Sequence, residues 1–129
     1  MRTLSLATCC LLLTCSRGAI AAKQIEHTKD TLQVVKTNVS EKKAVLLDVR
    51  DDSEWDRGHI EGAIHIPLDQ IKRGLKPDAL PKDKVIYTYC EVGMRLLKAG
   101  RILSEKGFQV RPLKPGYQDL LKAGFKKAE

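Results

Sequence analysis

Cysteine is scarce in this chain, and its distribution makes it scarcer. Of the four present, Cys9, Cys10 and Cys15 fall in the first 22 residues, which leaves Cys90 as the sole thiol of the remainder. A lone thiol excludes an intramolecular disulfide and a thiolate zinc cage. Aromatic residues make up only 5%, with one Trp, two Phe and three Tyr. That excludes the ladder of rings and basic side chains on which nucleic-acid readers stack bases, and the 23 Lys and Arg are spread among 16 acids rather than gathered into a block. No nucleic-acid partner is therefore expected. There is no internal repeat, no low-complexity segment and no apolar run of the about 20 residues that an ordinary membrane-spanning helix needs.

What is present begins with a leader. Arg2 is followed by an apolar stretch from Leu4 through Thr14 and by Ala19-Ile20-Ala21, a small-residue pattern of the A-x-A kind. Residues 1–21 read as a secretory signal peptide and 22–129 as a single domain, exported to the periplasm or secreted. An uncleaved anchor is the alternative; lipid attachment at Cys15 is disfavoured by Thr14 just before it. Loss of Arg2 and Arg17 takes Lys plus Arg from 23 to 21 against 16 acids, so the formal charge falls from +7 to +5. A mildly positive surface of this kind draws in small anions.

The chemistry is expected around Cys90. Val85-Ile86-Tyr87-Thr88-Tyr89 is a short β-rich run, and after it Leu96, Ala99, Gly100 and Leu103 recur on one helical face. Cys90 thus falls at the carboxyl end of a strand and just before a helix, where open α/β sheets bind ligands. Unpaired amides and the helix dipole there favour an anion, and a thiolate is one. Gly93 allows the loop to curl with positive φ so that several amides point inward, and Arg95 adds a planar cationic fork suited to oxyanions. The competing reading is an inert thiol closing the core at a strand end.

The rest of the chain alternates helices and strands. Leu32, Val35 and Val39 mark a helix from Thr28 to about Asn38, with Thr28 or Asp30 as its cap. Ala44 to Val49 is a continuous apolar run, the pattern of a strand covered on both faces, and it also ends in polar groups, Asp48 and Arg50. Ser53 to Arg57 suits a short helical turn, with Trp55 packed against the sheet. His59 and His65 have no acidic or thiol partner at zinc-like spacing, so both are expected to be hydrogen-bonded structural imidazoles and no metal is expected. Asp69 to Arg73 reads as a brief helix, Phe108 to Leu113 as a strand, Pro115-Gly116 as a turn and Tyr117 to Lys122 as a last helix. This alternation in one small domain implies a parallel α/β sheet.

The order of these pieces resembles the rhodanese (sulfurtransferase) family, most closely its single-domain exported, periplasmic thiosulfate sulfurtransferase members. The matching segments are Leu47-Asp48-Val49-Arg50, Gly58-His59-Ile60-Glu61-Gly62-Ala63-Ile64-His65-Ile66-Pro67, Tyr89-Cys90-Glu91-Val92-Gly93-Met94-Arg95 and Leu103 through Tyr117, covering about 43–125. One departure is Pro115-Gly116-Tyr117, where a Gly-Gly pair commonly precedes the final aromatic. The resemblance implies a five-stranded parallel sheet with helices on both faces and a persulfide on Cys90, formed from thiosulfate or a similar sulfane donor and passed to cyanide or a thiol. It implies no cofactor. The loop amides and side chains of Glu91, Val92, Gly93, Met94 and Arg95 would bind substrate, with Asp48 and Arg50 bracing the loops. Cys90 to Arg95 is a six-residue loop, which in this resemblance serves sulfur transfer; related dual-specificity phosphatases have seven. A carrier that hands its persulfide to a protein acceptor, and a Cys-dependent phosphatase or arsenate reductase, are the rival functions.

Overall fold

The computed structural model of the protein describes residues 24–75 and 77–129; residues 1–21, expected to form a signal peptide and including Cys9, Cys10 and Cys15, lie outside the described residues. Four strands form one parallel sheet: β1 (Ala44–Asp48), β2 (Ile64–His65), β3 (Val85–Tyr89) and β4 (Gln109–Pro112), in the spatial order β2-β1-β3-β4. Between and around them run α1 (Leu32–Ser40), α2 (Asp52–Arg57), α3 (Leu68–Lys72), α4 (Met94–Glu105) and α5 (Tyr117–Lys122).

The two central strands are apolar on both faces, and the two-residue period of a strand divides their side chains between two cores. Leu47 and Ile86 enter a cluster with Leu96, Ala99 and Leu103 of α4 and Leu68 and Ile71 of α3. Leu46, Tyr87 and Tyr89 enter the opposite cluster with Val35 of α1 and Tyr117 and Leu120 of α5. Helices thus cover both faces. The pairing of β1 with β3 runs from Ala44 opposite Val85 to Asp48 opposite Tyr89, so both strands end level.

The sheet has four strands among the described residues, where five were expected. The extended segment that precedes α1 lies along the β4 edge, but it is tied there by one backbone bond, Thr28 N–H to the Pro112 carbonyl (2.7 Å), and by the His27 ring to the Leu113 carbonyl (3.1 Å). Pro112 has no N–H to return, so no ladder propagates. The same tether moves the start of α1. Thr28 is held in the extended segment and the Asp30 carboxylate accepts from Tyr87 (2.7 Å) and Arg111 (2.8 Å), so Thr31 is the cap, its hydroxyl accepting from Val34 N–H.

Ile86 lies in the middle of β3 with no exposed surface. Ile86→Ala is expected to cost roughly 2–5 kcal/mol, read as a lower urea midpoint with an unchanged m-value; a midpoint within error of the unsubstituted protein would contradict this packing.

Candidate active site

Because the strands are parallel, their carboxyl ends share one edge, and the level ending of β1 and β3 sets Asp48 beside Tyr89, one residue before Cys90. Arg50 folds back over this edge. Its Nε donates to both Asp48 carboxylate oxygens (3.1 and 3.0 Å), and its Nη2 donates to Asp48 Oδ2 (2.8 Å) and to the Gly58 carbonyl (2.7 Å). Its Nη1 reaches Glu91 Oε2 at 3.4 Å, and the guanidinium lies 4.0 Å from the Tyr117 ring centroid. Asp48 is 0% and Arg50 2% exposed. Burial works against the Arg50 charge, but the Asp48 hydrogen bonds and charge outweigh it and its pKa is raised. Burial, with the neighbouring Asp48 charge, also pushes the Tyr89 hydroxyl far above its ordinary range. Tyr89 accepts from Ile60 N–H at 3.4 Å and stays a neutral structural group.

A second ion pair fixes the far end of the loop. Arg95, in the first turn of α4, donates through Nη1 and Nη2 to the two oxygens of Glu54 (2.5 and 2.8 Å), with Asp51 3.8 Å away. Glu54 is aimed by a capping box at the start of α2: the Asp51 side chain accepts from Glu54 N–H, and the Glu54 side chain accepts from Asp51 N–H. The Arg95 hydrogen bond holds the Glu54 carboxyl below its usual range, and the Glu54 bond raises Arg95, with the charges of Cys90 and Asp51 adding to it.

Cys90 itself follows β3 directly, and Gly93 adopts the left-handed conformation (φ 39°) at the entry to α4, as the strand–loop–helix reading anticipates. Two features differ from the open cradle expected there. The thiol has no exposed surface and packs into the α4-side core. The Met94 amide donates to the Val92 carbonyl (2.7 Å), so one member of the anticipated ring of amides is engaged within the loop. Val92 and Met94 are 80% and 65% exposed at the loop tip. The loop is thus held at its ends and free at its crown.

The segment after β4 supports the loop from below. Tyr117 N–H donates to the Cys90 carbonyl (2.9 Å), and a Cβ on Gly116 would stand 2.2 Å from the Glu91 carbonyl oxygen. Backbone meets backbone here, so the second position of the usual Gly-Gly pair is the one that must lack a side chain; Pro115 fits at the first. Trp55 packs at the β2 edge of the sheet, as expected. Its ring is sandwiched between His59 (3.5 Å between centroids) and His65 (4.5 Å). Both imidazoles are hydrogen-bonded, His59 to the Trp55 carbonyl (3.1 Å) and His65 to the Arg50 carbonyl (2.9 Å). Among the described residues no group of three or more His, Cys, Asp or Glu is placed to hold a metal ion, and no helix is long and apolar enough to cross a membrane.

Sequence reasoning passed over Glu54, Gly116 and the Arg50–Tyr117 stack. The Asp51-x-x-Glu54 spacing was a usable signal for the first, since it marks a capping box. The other two are long-range contacts with no local pattern.

This loop and fold match a known family. The profile of the Rhodanese-like domain matches residues 31–123, and the chain belongs to that family. It is 34% identical over 62 residues to the thiosulfate sulfurtransferase PspE of Escherichia coli, covering 48% of this chain and 60% of that one. It is 33% identical over 91 residues (69% of this chain, 48% of the other) to YrkF of Bacillus subtilis, whose name proposes a sulfur carrier. A rhodanese-related protein from Thermoplasma volcanium has a similar structure, with TM-score 0.65, 27% identity and coverage of 75% and 93%. The chain spans 60% or less of the length of these two curated relatives.

Gly116→Ala is expected to cost about 1–3 kcal/mol through overpacking and, because the clash falls on the residue after Cys90, to raise the rate at which iodoacetamide alkylates Cys90 in the native protein several-fold. Unchanged stability together with an unchanged alkylation rate would show that this contact does not hold the loop.

Proposed function

We propose that the protein is an enzyme that moves a sulfane sulfur from thiosulfate or a similar donor to cyanide or a low-molecular-weight thiol through a persulfide on Cys90. The observation that carries this reading is the placement of the chain's only described thiol between the end of β3 and the left-handed Gly93 that opens α4, in a member of the rhodanese-like family.

The Cys90 thiolate attacks the outer sulfur of the donor. A new Sγ–S bond forms, the donor's S–S bond breaks, and its electron pair leaves with sulfite. The acceptor then attacks that outer sulfur and returns the pair to Cys90, a two-step covalent route that gives ping-pong kinetics. Since the thiol is buried in the resting conformation, the crown formed by Val92 to Met94 swings away to admit the donor, which frees the Met94 amide to join its neighbours around the charged sulfur. Arg95 exchanges part of its Glu54 pairing for the anionic donor. Arg50, held by Asp48, keeps the base of the loop in place through Glu91, Gly58 and Tyr117. Glu91 reduces the positive field and turns the site away from dianionic thiosulfate toward polysulfide or protein-bound donors. The leader pattern in residues 1–21 supports export, with the domain working in the periplasm or outside the cell.

The burial of Cys90 also favours a second reading, a carrier whose loop opens only on a protein acceptor. The phosphatase or arsenate reductase reading is weaker, because the Cys90–Arg95 loop has six residues. The deciding experiment is the intact mass of the exported protein after thiosulfate treatment. The expected result is one added sulfur, absent in Cys90→Ser and removed by cyanide with release of thiocyanate at steady turnover. Loading without turnover on cyanide or thiols would select the carrier, and aryl phosphate hydrolysis without sulfur loading would select the phosphatase.

A further inference from the structure

Beside the Cys90 loop lies a cleft of about 520 Å³ that the sulfur-loading step does not use. Its size is that of a small-molecule site, roughly 300–1,000 Å³, and far exceeds what thiosulfate or cyanide would fill. Glu91, the residue after Cys90, and the Arg50-stacked Tyr117 line it, together with Glu54, Arg57, Gly58 and Lys127. The two cations differ from Arg50 and Arg95. Among the described residues neither Arg57 nor Lys127 is ion-paired, whereas Arg50 is satisfied by Asp48 and Arg95 by Glu54.

Lys127 is placed by the fold rather than by chance. The chain around it pairs with the turn after α2: Glu61 N–H donates to the Lys126 carbonyl (2.9 Å), Ala128 N–H donates to the His59 carbonyl (2.9 Å), and Ile60 faces Lys127 in an antiparallel bridge. Its side chain then crosses Gly58, where a Cβ would stand 2.5 Å from Lys127 Cε and 2.7 Å from the Tyr117 hydroxyl. Gly58 has φ 150° and so favours glycine on both grounds. An unpaired ammonium is therefore seated over a glycine beside a hydroxyl, with a partly exposed carboxylate, Glu91, facing the same space.

We propose that this cleft binds the sulfur acceptor, and that the acceptor is an amino-acid thiol, its carboxylate on Lys127 and Arg57 and its ammonium toward Glu91. This rests on the persulfide reading above. When the loop crown opens and the Cys90 persulfide leaves the α4-side core, the bound thiolate attacks its outer sulfur; the new S–S bond forms as the Sγ–S bond breaks, the electron pair stays on Cys90, and the product leaves as the amino-acid persulfide with no net oxidation. A lining that offers two unpaired cations and the Glu91 carboxylate selects a zwitterion over a ligand with either charge alone.

The test measures sulfur transfer from the thiosulfate-loaded full chain to cysteine, 3-mercaptopropionate and cysteamine. The expected KM is lowest for cysteine. Lys127→Glu is expected to raise the cysteine KM at least tenfold and to move the preference to cysteamine, while Lys82→Glu, an equal change of charge outside the cleft, keeps cysteine first. Equal KM values for the three thiols, or the same response to both variants, would overturn the proposal. A chain that takes up sulfur neither from thiosulfate nor from a polysulfide would instead fail the persulfide reading, so the two failures are distinguishable.

Discussion

A single buried cation organises the functional edge. Arg50 has almost no exposed surface, yet it touches the end of β1 through Asp48, the turn after α2 through the Gly58 carbonyl, the last helix through the Tyr117 ring and the sulfur loop through Glu91. A buried guanidinium is costly unless its donors are used, and breaking such a pair leaves an uncompensated charge that costs about 3–5 kcal/mol. The four segments are thereby obliged to meet at one point. Their convergence fixes the base of the Cys90 loop, while the crown carries only exposed Val92 and Met94. Rigid support below and freedom above suit a nucleophile that is closed at rest and opens for its donor.

The second ion pair, Arg95 with Glu54, gives the loop its other anchor and a charge dependence. Glu54 has a lowered pKa in the folded protein because Arg95 hydrogen-bonds to it. A carboxyl with a lowered folded pKa stabilises the fold above its unfolded value and loses that contribution as pH falls through the folded value. Both groups are partly open to solvent, so the contribution is modest. Its consequence is for substrate: an anion entering the loop meets a guanidinium already neutralised, and competes with a carboxylate for it.

Much of this was legible in the chain because it is local. The apolar runs Ala44–Val49 and Val85–Tyr89 named the two central strands, and Cys90, Gly93 and Leu96 named the strand, loop and helix that follow. The parallel α/β sheet follows from that alternation, and the helices on both faces are what the family resemblance implies. Among the described residues the sheet stops at four strands, and Pro112 has no N–H to extend the ladder at the β4 edge; the α1 cap shifted because Thr28 and Asp30 are drawn to β4 and β3 by contacts more than fifty residues away in sequence. Trp55 does pack at the sheet edge, but its stacking with His59 and His65 forms only when the turn between them closes. The burial of the thiol is the competing reading offered at the strand end, and which of the two holds depends on how the loop crown lies.

The account stands on the convergence at Arg50, and Arg50→Lys tests it most directly, because lysine keeps the charge but cannot bridge Asp48, Gly58 and Glu91 together. The measurement is the rate at which thiosulfate loads sulfur onto Cys90 in this variant, followed by mass, with far-UV circular dichroism to confirm the fold. A native-like spectrum with loading slowed at least tenfold is the predicted result. Loading at the unsubstituted rate in the folded variant would contradict it.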